Sequence, residues 1–257
     1  MAIANLLFYN LQLVSSGKNY GPMSYSPEFY PEGKPENERR AEFMCKRMNL
    51  GSEYGFCGRN MFVSNYIPTT GSYHEITSSD VEENYTGFPD ANISSDILVV
   101  TSATPDVVIG GLHKGMPVVL AYDMKQNILA SINCPPIIDR EVPNMLIDAL
   151  NSFGSKEEDI YVYIGPSIED ISFDDAPVWL GKDRDSFIEF DSRDRFHVNP
   201  KDVLVKDFRD RGVRFIEKSR INTLYDYDYY YGDEAGYNFT GGFIMSKDNC
   251  KRLKMER

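Results

Sequence analysis

The chain has 257 residues, a length that fits one large domain or two small ones and allows a substantial core. Its apolar fraction of 42% and charged fraction of 26% are those of an ordinary globular protein. The net charge of −12 argues against nucleic acid as a partner, because binding to a phosphate backbone needs clustered Lys and Arg.

The sequence also argues against a membrane or secreted location. No apolar run approaches the length of a membrane span, and the first residues lack the positive region and cleavage site of a signal peptide. The four cysteines are scattered and form no CxxC motif, which is typical of a protein in a reducing compartment. We therefore expect a cytoplasmic protein with no membrane partner.

In chain order, the sequence first predicts a strand over residues 6–14, then a loop rich in Gly, Pro and Tyr, then a helix over residues 36–48. One stripe of this helix is apolar, because Ala41, Met44, Cys45 and Met48 recur at helical spacing. This spacing predicts that Cys45 is a buried residue of the helix face rather than a nucleophile.

The middle of the chain predicts a series of strands, because Val and Ile are enriched between short turn signals. The predicted strands cover residues 61–67, 96–102, 107–112, 116–123 and 128–134. Several are apolar at consecutive positions, which is typical of strands that are covered on both faces.

Two further helices and two final strands follow. The helix over residues 139–153 carries a continuous apolar stripe, and Gly154 stands where a C-terminal cap is expected. Another helix begins at Asn199-Pro200, with Asn as N-cap and Pro in the first turn, and ends at Gly212. The last strands are predicted at residues 213–218 and 242–245, and His197 is predicted to be a surface residue.

Two central segments, residues 95–136 and 159–168, resemble the laccase-domain family, also called the polyphenol oxidase or purine nucleoside phosphorylase family. In that family a DALVT-type strand precedes a TADC-x-PVLL strand, a strand ending in HAGWRG, and a DI-x-x-x-LGP-x-I strand. The matching scaffold residues here are Asp96, Pro117, Val118, Leu120, Asp123, Ala130, Gly165, Pro166 and Ile168. The resemblance implies one domain over residues 1–257, with an α+β fold of mixed β-sheets and flanking helices (the laccase-domain, cysteine-hydrolase-like architecture).

The resemblance also implies a zinc enzyme that acts on nucleosides, with zinc held by the histidine of a QVHG motif, the TADC cysteine and the HAGWRG histidine. A three-ligand site of this kind leaves one position open for substrate or water. The aligned positions here are Ile67, Gly115 and Asn133, whose side chains do not serve as zinc ligands. We therefore expect no zinc, no other cofactor and no catalytic residue at the family site.

Phosphate binding is also disfavoured. The arginine of HAGWRG aligns with Ile137, and two prolines precede it in a turn whose backbone N–H groups could otherwise hold an anion. The C-terminal FFSYRR-type motif becomes residues 229–234, YYYGDE, which places carboxylates where the family has arginines.

Two alternatives keep an enzymatic role open. A purine nucleoside phosphorylase or deaminase could use a site rebuilt from His113, Asp123 and Cys134, with His74 also near the lost QVHG position. A different hydrolase could use Asp233 and Glu234 as paired carboxylates. Otherwise His113-Lys114 is a polar turn between strands, and Cys134 is a small apolar residue at a strand end.

The Tyr-rich segment over residues 225–239 has two interpretations. It forms an acidic aromatic surface that binds a partner or a cationic ligand, or it is a half-exposed strand with Tyr225, Tyr227, Tyr229 and Tyr231 on one face. The candidate pocket residues are His113, Lys114, Asp123, Cys134, Tyr230, Tyr231 and Asp233. The favoured hypothesis is a divergent laccase-domain protein that is inactive in the family reaction. It would bind a nucleoside-like small molecule or a protein partner, in a regulatory or structural role.

Overall fold

The structure, a computed structural model, describes residues 10–21, 23, 31–86, 93–135, 140–175, 177–190, 195–231 and 236–249. Within those ranges the chain forms five α-helices and thirteen strands. None of the described helices combines the length and the apolar character needed to cross a bilayer.

The strands form three sheets. The first seven strands are β1 (Leu11–Ser16), β2 (Met61–Val63), β3 (Tyr73–Glu75), β4 (Ile97–Val100), β5 (Val108–His113), β6 (Val118–Asp123) and β7 (Ile128–Asn133). The others are β8 (Ile160–Ile164), β9 (Ile171–Phe173), β10 (Glu189–Phe190), β11 (Phe196–Val198), β12 (Phe215–Lys218) and β13 (Asn238–Ile244). The helices are α1 (Glu36–Tyr54), α2 (Ser78–Thr86), α3 (Val142–Ser152), α4 (Arg184–Phe187) and α5 (Pro200–Asp210).

Parallel and antiparallel pairs are mixed within the two larger sheets. The six-stranded sheet has the order β12-β8-β6-β7-β4-β3, and the four-stranded sheet has the order β1-β13-β5-β2. The pairs β12–β8, β3–β4 and β2–β5 are parallel, whereas the other pairs of these two sheets are antiparallel. The small sheet β10-β11-β9 is antiparallel throughout. The α+β fold class with mixed sheets is therefore confirmed.

The two larger sheets pack face to face between outer helices. Leu98 and Val100 of β4 point into a core shared with Leu11, Leu13 and other residues of the four-stranded sheet. The alternate residues Ile97 and Val99 point the other way, into a core with α3 and α5. The helix α1 covers the outer face of the four-stranded sheet. This layering explains why β4 is apolar at four consecutive positions.

Most predicted elements are present with shifted ends. The first helix continues past residue 48 to Tyr54, where Gly55 adopts a left-handed conformation (φ 83°) and its N–H bonds to the Gly51 carbonyl. The side chain of Asn199 caps α5 by accepting a hydrogen bond from the Lys201 N–H, as predicted. The start of the predicted strand at residues 6–14 and residue 139 of the predicted helix lie outside the described residues.

The prediction for Cys45 is wrong, and so is one of the two interpretations of the Tyr-rich segment. Cys45 is exposed, because the buried face of α1 is formed instead by Phe43, Arg47 and Leu50. The segment from Tyr225 to Tyr231 is not a strand but a series of turns, in which Tyr229 N bonds to the Asp226 carbonyl. Local turn bonds therefore prevail over the Tyr/Asp alternation.

Candidate functional site

Asn133, predicted from the sequence to stand at the position of one family histidine, is buried and hydrogen-bonded in the protein interior. It is the last residue of β7, pairs with Val118 of β6, and is 2% exposed. Its Nδ2 donates a hydrogen bond of 2.8 Å to the backbone carbonyl of Asn65. A Cβ on Gly111 would lie 1.8 Å from the Asn133 Oδ1 atom, so the amide occupies the space that a side chain at position 111 would need.

Gly115 and Ile67 are the residues predicted from the sequence to stand at the other two ligand positions. Gly115 lies in the turn between β5 and β6, where its carbonyl accepts a hydrogen bond of 2.7 Å from the Ile168 N–H. A Cβ at Gly115 would meet Ile168 and Tyr231 at 3.6 and 3.7 Å, which are ordinary contact distances. Ile67 lies in the loop after β2 with 51% of its surface exposed.

The loop that carries Ile67 is held by the buried carboxylate of Asp96. Oδ2 accepts hydrogen bonds from the backbone N–H groups of Thr69, Thr70 and Gly71, while Oδ1 accepts one from the Asn65 side chain. Burial opposes ionisation of this carboxyl, but these hydrogen bonds outweigh it and lower the pKa of Asp96 to about 2. The family residue Asp96 therefore acts as a loop anchor.

The segments that carry Ile67, Gly115 and Asn133 are linked by contacts of neighbouring residues. The Asn65–Asn133 bond joins the Ile67 loop to β7. The ring of Tyr66 packs edge-on against the ring of Tyr237, with 5.5 Å between the ring centres. The Lys114 ammonium lies 4.8 Å from the centre of the Tyr237 ring. The chain thus brings together segments that are far apart in sequence: the loop after β2, the end of β7, the turn after β5 and the segment just before β13.

His113 is buried in β5, so its prediction as part of a polar turn is wrong; the turn begins at Lys114. Its Nε2 lies 2.9 Å from the Thr240 hydroxyl, and its Nδ1 has no hydrogen-bond partner within the described part of the chain. Burial lowers the pKa of His113 to about 3, so the imidazole is neutral at physiological pH.

Asp123 and Cys134 do not approach each other. Asp123 lies at the turn end of the β6–β7 hairpin, where its Oδ1 accepts the N–H groups of Lys125 and Gln126. Cys134 follows the opposite end of the hairpin and is buried in the apolar core under α3. The five residue steps between Asp123 and Val118 correspond to about 16 Å of strand. The structure therefore does not assemble a site from His113, Asp123 and Cys134.

No group of three His, Cys, Asp or Glu side chains in the described ranges is arranged to hold a metal ion. His74 lies on β3, at the edge of the six-stranded sheet, with its Nε2 3.1 Å from the Asp80 carboxylate.

The Tyr-rich segment divides into exposed and packed residues. Tyr225 and Tyr227 are 71% and 91% exposed, whereas Tyr229 is buried. The half-buried Tyr230 is fixed by Asn238, which accepts a hydrogen bond from the Tyr230 N–H and donates one to its carbonyl. The half-buried Tyr231 faces Gly115, and the candidate residue Asp233 lies outside the described residues.

His197 lies on a strand and is partly buried, so its prediction as a surface residue is wrong. Its Nδ1 lies 2.6 Å from the Asp170 carboxylate and 3.2 Å from the Ser172 hydroxyl, within a cleft formed by the small sheet. Both contacts use the same ring nitrogen, so the three residues are not arranged as a nucleophile–base–acid relay.

A second cavity was not foreseen from the sequence. It lies between the end of β1 and the carboxyl ends of β8 and β12, and Tyr54, Tyr163 and Tyr229 line it. These tyrosines lie in widely separated parts of the chain, so no spacing pattern connects them.

Solved structures identify this architecture. The chain is similar to the hypothetical protein YfiH of Bacillus licheniformis, with a TM-score of 0.70, 14% identity, and coverage of 93% of this chain and 94% of that one. YlmD from Geobacillus stearothermophilus gives a TM-score of 0.69 at 14% identity and 93% coverage of both chains. The chain has the laccase-domain fold.

Neisseria meningitidis NMB0706, a protein assigned to DUF152, shares the laccase-domain fold with a TM-score of 0.63, 13% identity, and coverage of 92% and 95%. No protein-family model and no curated protein matches the sequence. At these identities the likeness establishes the fold, and the chemistry has to be argued from the residues of this chain.

Proposed function

We propose that this protein uses the laccase-domain fold for binding and does not carry out zinc-dependent nucleoside chemistry. The observation that carries the proposal is the state of Asn133, whose amide is engaged with the Asn65 carbonyl and packed over Gly111. A buried amide in this position cannot turn towards a metal without breaking its hydrogen bond, and such a break is costly in the interior.

The other two positions support the same proposal. Zinc prefers thiolate and imidazole ligands, whereas Ile67 offers only carbon atoms and Gly115 offers no side chain. The donor set of Ile67, Gly115 and Asn133 therefore does not fit zinc.

The rebuilt nucleoside site is not favoured, because Asp123 caps a turn at one end of the hairpin and Cys134 is buried near the other. Asp233 and Glu234, the paired carboxylates of the other enzymatic alternative, lie outside the described residues. The net charge of −12 supports a small molecule or a protein as partner in preference to nucleic acid.

The test is a chromatographic assay of the full chain with adenosine or inosine, with and without phosphate and added zinc. An active laccase-domain enzyme is run in parallel. We expect no free base and no deaminated product from this chain. Turnover by the wild-type chain that decreases in the His113→Gln variant would overturn the proposal. This variant keeps a polar side chain near Thr240.

Metal binding is measured separately in a Cys45→Ser background, because the exposed thiol of Cys45 could bind zinc adventitiously. We expect less than stoichiometric zinc after dialysis. One tightly held zinc per chain would show that a metal site exists elsewhere and would contradict the proposal.

A further inference from the structure

A cavity of about 950 Å³ lies where the parallel strands β8 and β12 end, opposite the end of β1. In open sheets, ligands bind preferentially outside the carboxyl ends of parallel strands. The volume falls within the range of small-molecule sites, which is about 300–1,000 Å³. Ile67, Gly115 and Asn133 do not line this cavity, so it is distinct from the family's metal positions.

The cavity contains a buried hydroxyl whose hydrogen bonding within the protein is incomplete. Tyr163 on β8 is 1% exposed, and its hydroxyl makes no well-formed hydrogen bond within the described part of the chain. Burial raises the pKa of Tyr163, and a weak interaction with the Ser219 side chain offsets this in part, so the hydroxyl remains neutral. A buried polar group with incomplete hydrogen bonding is unfavourable, and a polar atom of a ligand would complete it.

The neighbouring hydroxyls are fixed by a polar network. Tyr54 donates a hydrogen bond of 3.1 Å to the Ser15 carbonyl. The Ser15 hydroxyl lies 3.4 Å from both the Tyr229 and Thr240 hydroxyls, and Thr240 in turn contacts His113. Burial raises the pKa values of Tyr54 and Tyr229, so the aromatic wall carries no charge.

The rim of the cavity is acidic. Two basic residues line it, Lys218 and Arg220, and the Lys218 ammonium is paired with Asp202. The carboxylates that line it are Glu53, Glu217, Asp226 and Asp228. None of these four forms an ion pair with Lys or Arg among the residues that the structure describes; Glu53 and Glu217 accept hydrogen bonds from tyrosines instead. The excess of carboxylates favours a positively charged ligand.

We propose that this cavity binds a small organic cation with an apolar body. The charge of the ligand would lie against the acidic rim, and its apolar part would pack against the tyrosine rings. A polar atom of the ligand would form a hydrogen bond with the Tyr163 hydroxyl. Aromatic faces combined with carboxylates are a favourable environment for organic ammonium groups. The proposal goes beyond the binding role argued above, and it holds whether or not the family's nucleoside reaction is absent.

The test is calorimetric titration of the full chain with three probes: tyramine, choline and spermidine. The neutral analogues 4-propylphenol and 3,3-dimethylbutanol serve as controls for apolar binding. We expect saturable one-to-one binding of at least one cation. The matching neutral analogue should bind with a dissociation constant at least about tenfold higher.

Two variants locate the binding. Tyr163→Phe keeps the ring and removes the hydroxyl, and Glu53→Gln keeps a hydrogen-bond acceptor for Tyr20 and removes the charge. Each should weaken binding about 3- to 10-fold, the equivalent of one hydrogen bond. The matched controls are Tyr122→Phe, whose hydroxyl bonds to Asn127 in another part of the core, and Glu158→Gln on the surface.

Three results would overturn the proposal. The first is no binding of any cation at millimolar concentration, and the second is equal binding of the neutral analogues. The third is cation binding that the cavity variants leave unchanged, which would indicate attraction to the acidic surface in general. Circular dichroism confirms that each variant is folded before its titration is interpreted.

Discussion

The side-chain amide of Asn133 donates a hydrogen bond of 2.8 Å to the backbone carbonyl of Asn65, and this contact joins β7 to the loop that follows β2. From the sequence, both segments are predicted to hold positions that align with zinc ligands of the laccase-domain family. In the structure they are joined by this direct hydrogen bond, and the Asn65 side chain on the loop side donates a further one to Asp96. These two hydrogen bonds fix the loop against the end of β7.

Gly111 and Gly115 should differ in how much stability they lose on substitution by alanine. Gly111→Ala would place a Cβ 1.8 Å from the Asn133 amide oxygen, whereas the same change at Gly115 meets only ordinary contacts. We expect Gly111→Ala to lower the free energy of unfolding by about 1–3 kcal/mol through overpacking. Gly115→Ala should stay within about 0.5 kcal/mol of the wild type. Urea denaturation of both variants checks this, and equal effects would contradict the described packing.

The Asp96 carboxylate should contribute stability that depends on pH. Its pKa is about 2 in the folded protein, against about 3.9 in an unfolded chain. The contribution is therefore fully present above about pH 4 and is lost as the pH falls from about 4 to 2. At pH 7 we expect Asp96→Asn to cost about 2–3 kcal/mol, because the neutral amide accepts fewer of the backbone N–H bonds.

The control for Asp96 is Asp148→Asn, which removes an exposed ion pair with Arg211 and should cost about 1 kcal/mol or less. Guanidinium denaturation at pH 7 and pH 3 measures both variants. If Asp96→Asn lowered the free energy of unfolding by the same amount at pH 7 and pH 3, an ionised Asp96 would be ruled out as the source of the stability.

The central strands could be predicted because the pattern that identifies them lies within each short segment. Val and Ile at consecutive positions of β4, β6 and β7 match strands buried on both faces, and the structure has that arrangement. The helix α2 was missed because it is polar, although the sequence carried a usable signal. Thr77 and Asp80 form a capping box, in which the Asp80 carboxylate accepts the Thr77 N–H at 2.7 Å.

The sites were harder to predict because they depend on contacts between distant segments. Sequence order predicts Gly115 and Asn133 as motif positions, but it carries no signal for the hydrogen bond between the Asn133 amide and Asn65. The tyrosine-lined cavity joins Ser15, Tyr163 and Tyr229 through the packing of two sheets. No local pattern encodes that packing, so the sequence supports no such prediction.

Burial of His113 should make the protein sensitive to mild acid. The folded pKa of about 3 lies well below the value of about 6.5 in an unfolded chain. Between these values the unfolded chain binds a proton that the folded protein excludes, so stability falls with decreasing pH by up to about 1.4 kcal/mol per pH unit. His113→Gln should remove this part of the slope between pH 6.5 and 4.5. Identical slopes for the two proteins in chemical denaturation would show that His113 is not the group responsible.

Lys201 should be the most costly lysine of α5 to replace. Its side chain is fully buried, and its ammonium donates hydrogen bonds to the carbonyls of Ser219 and Ile221 at 2.8 and 2.7 Å and to the Glu169 carboxylate. Burial lowers the pKa of Lys201, because removing the ammonium from water is unfavourable. The hydrogen bonds of the ammonium offset part of this desolvation cost. We expect Lys201→Met to lower the free energy of unfolding by about 1.5–3 kcal/mol, because two carbonyls lose a charged donor.

The same substitution should also weaken cation binding, since residues 219–221 line the cavity and Lys201 fixes their backbone. The control is Lys206→Met on the same helix, whose ion pairs with Asp183 and Asp210 lie at the surface and contribute about 1 kcal/mol or less. Thermal unfolding and tyramine titration are measured on both variants. If Lys201→Met lost stability but bound tyramine like the wild type, the 219–221 backbone would not contribute to the binding wall. If both lysine variants behaved alike, the buried contacts of Lys201 would not be the source of its effect.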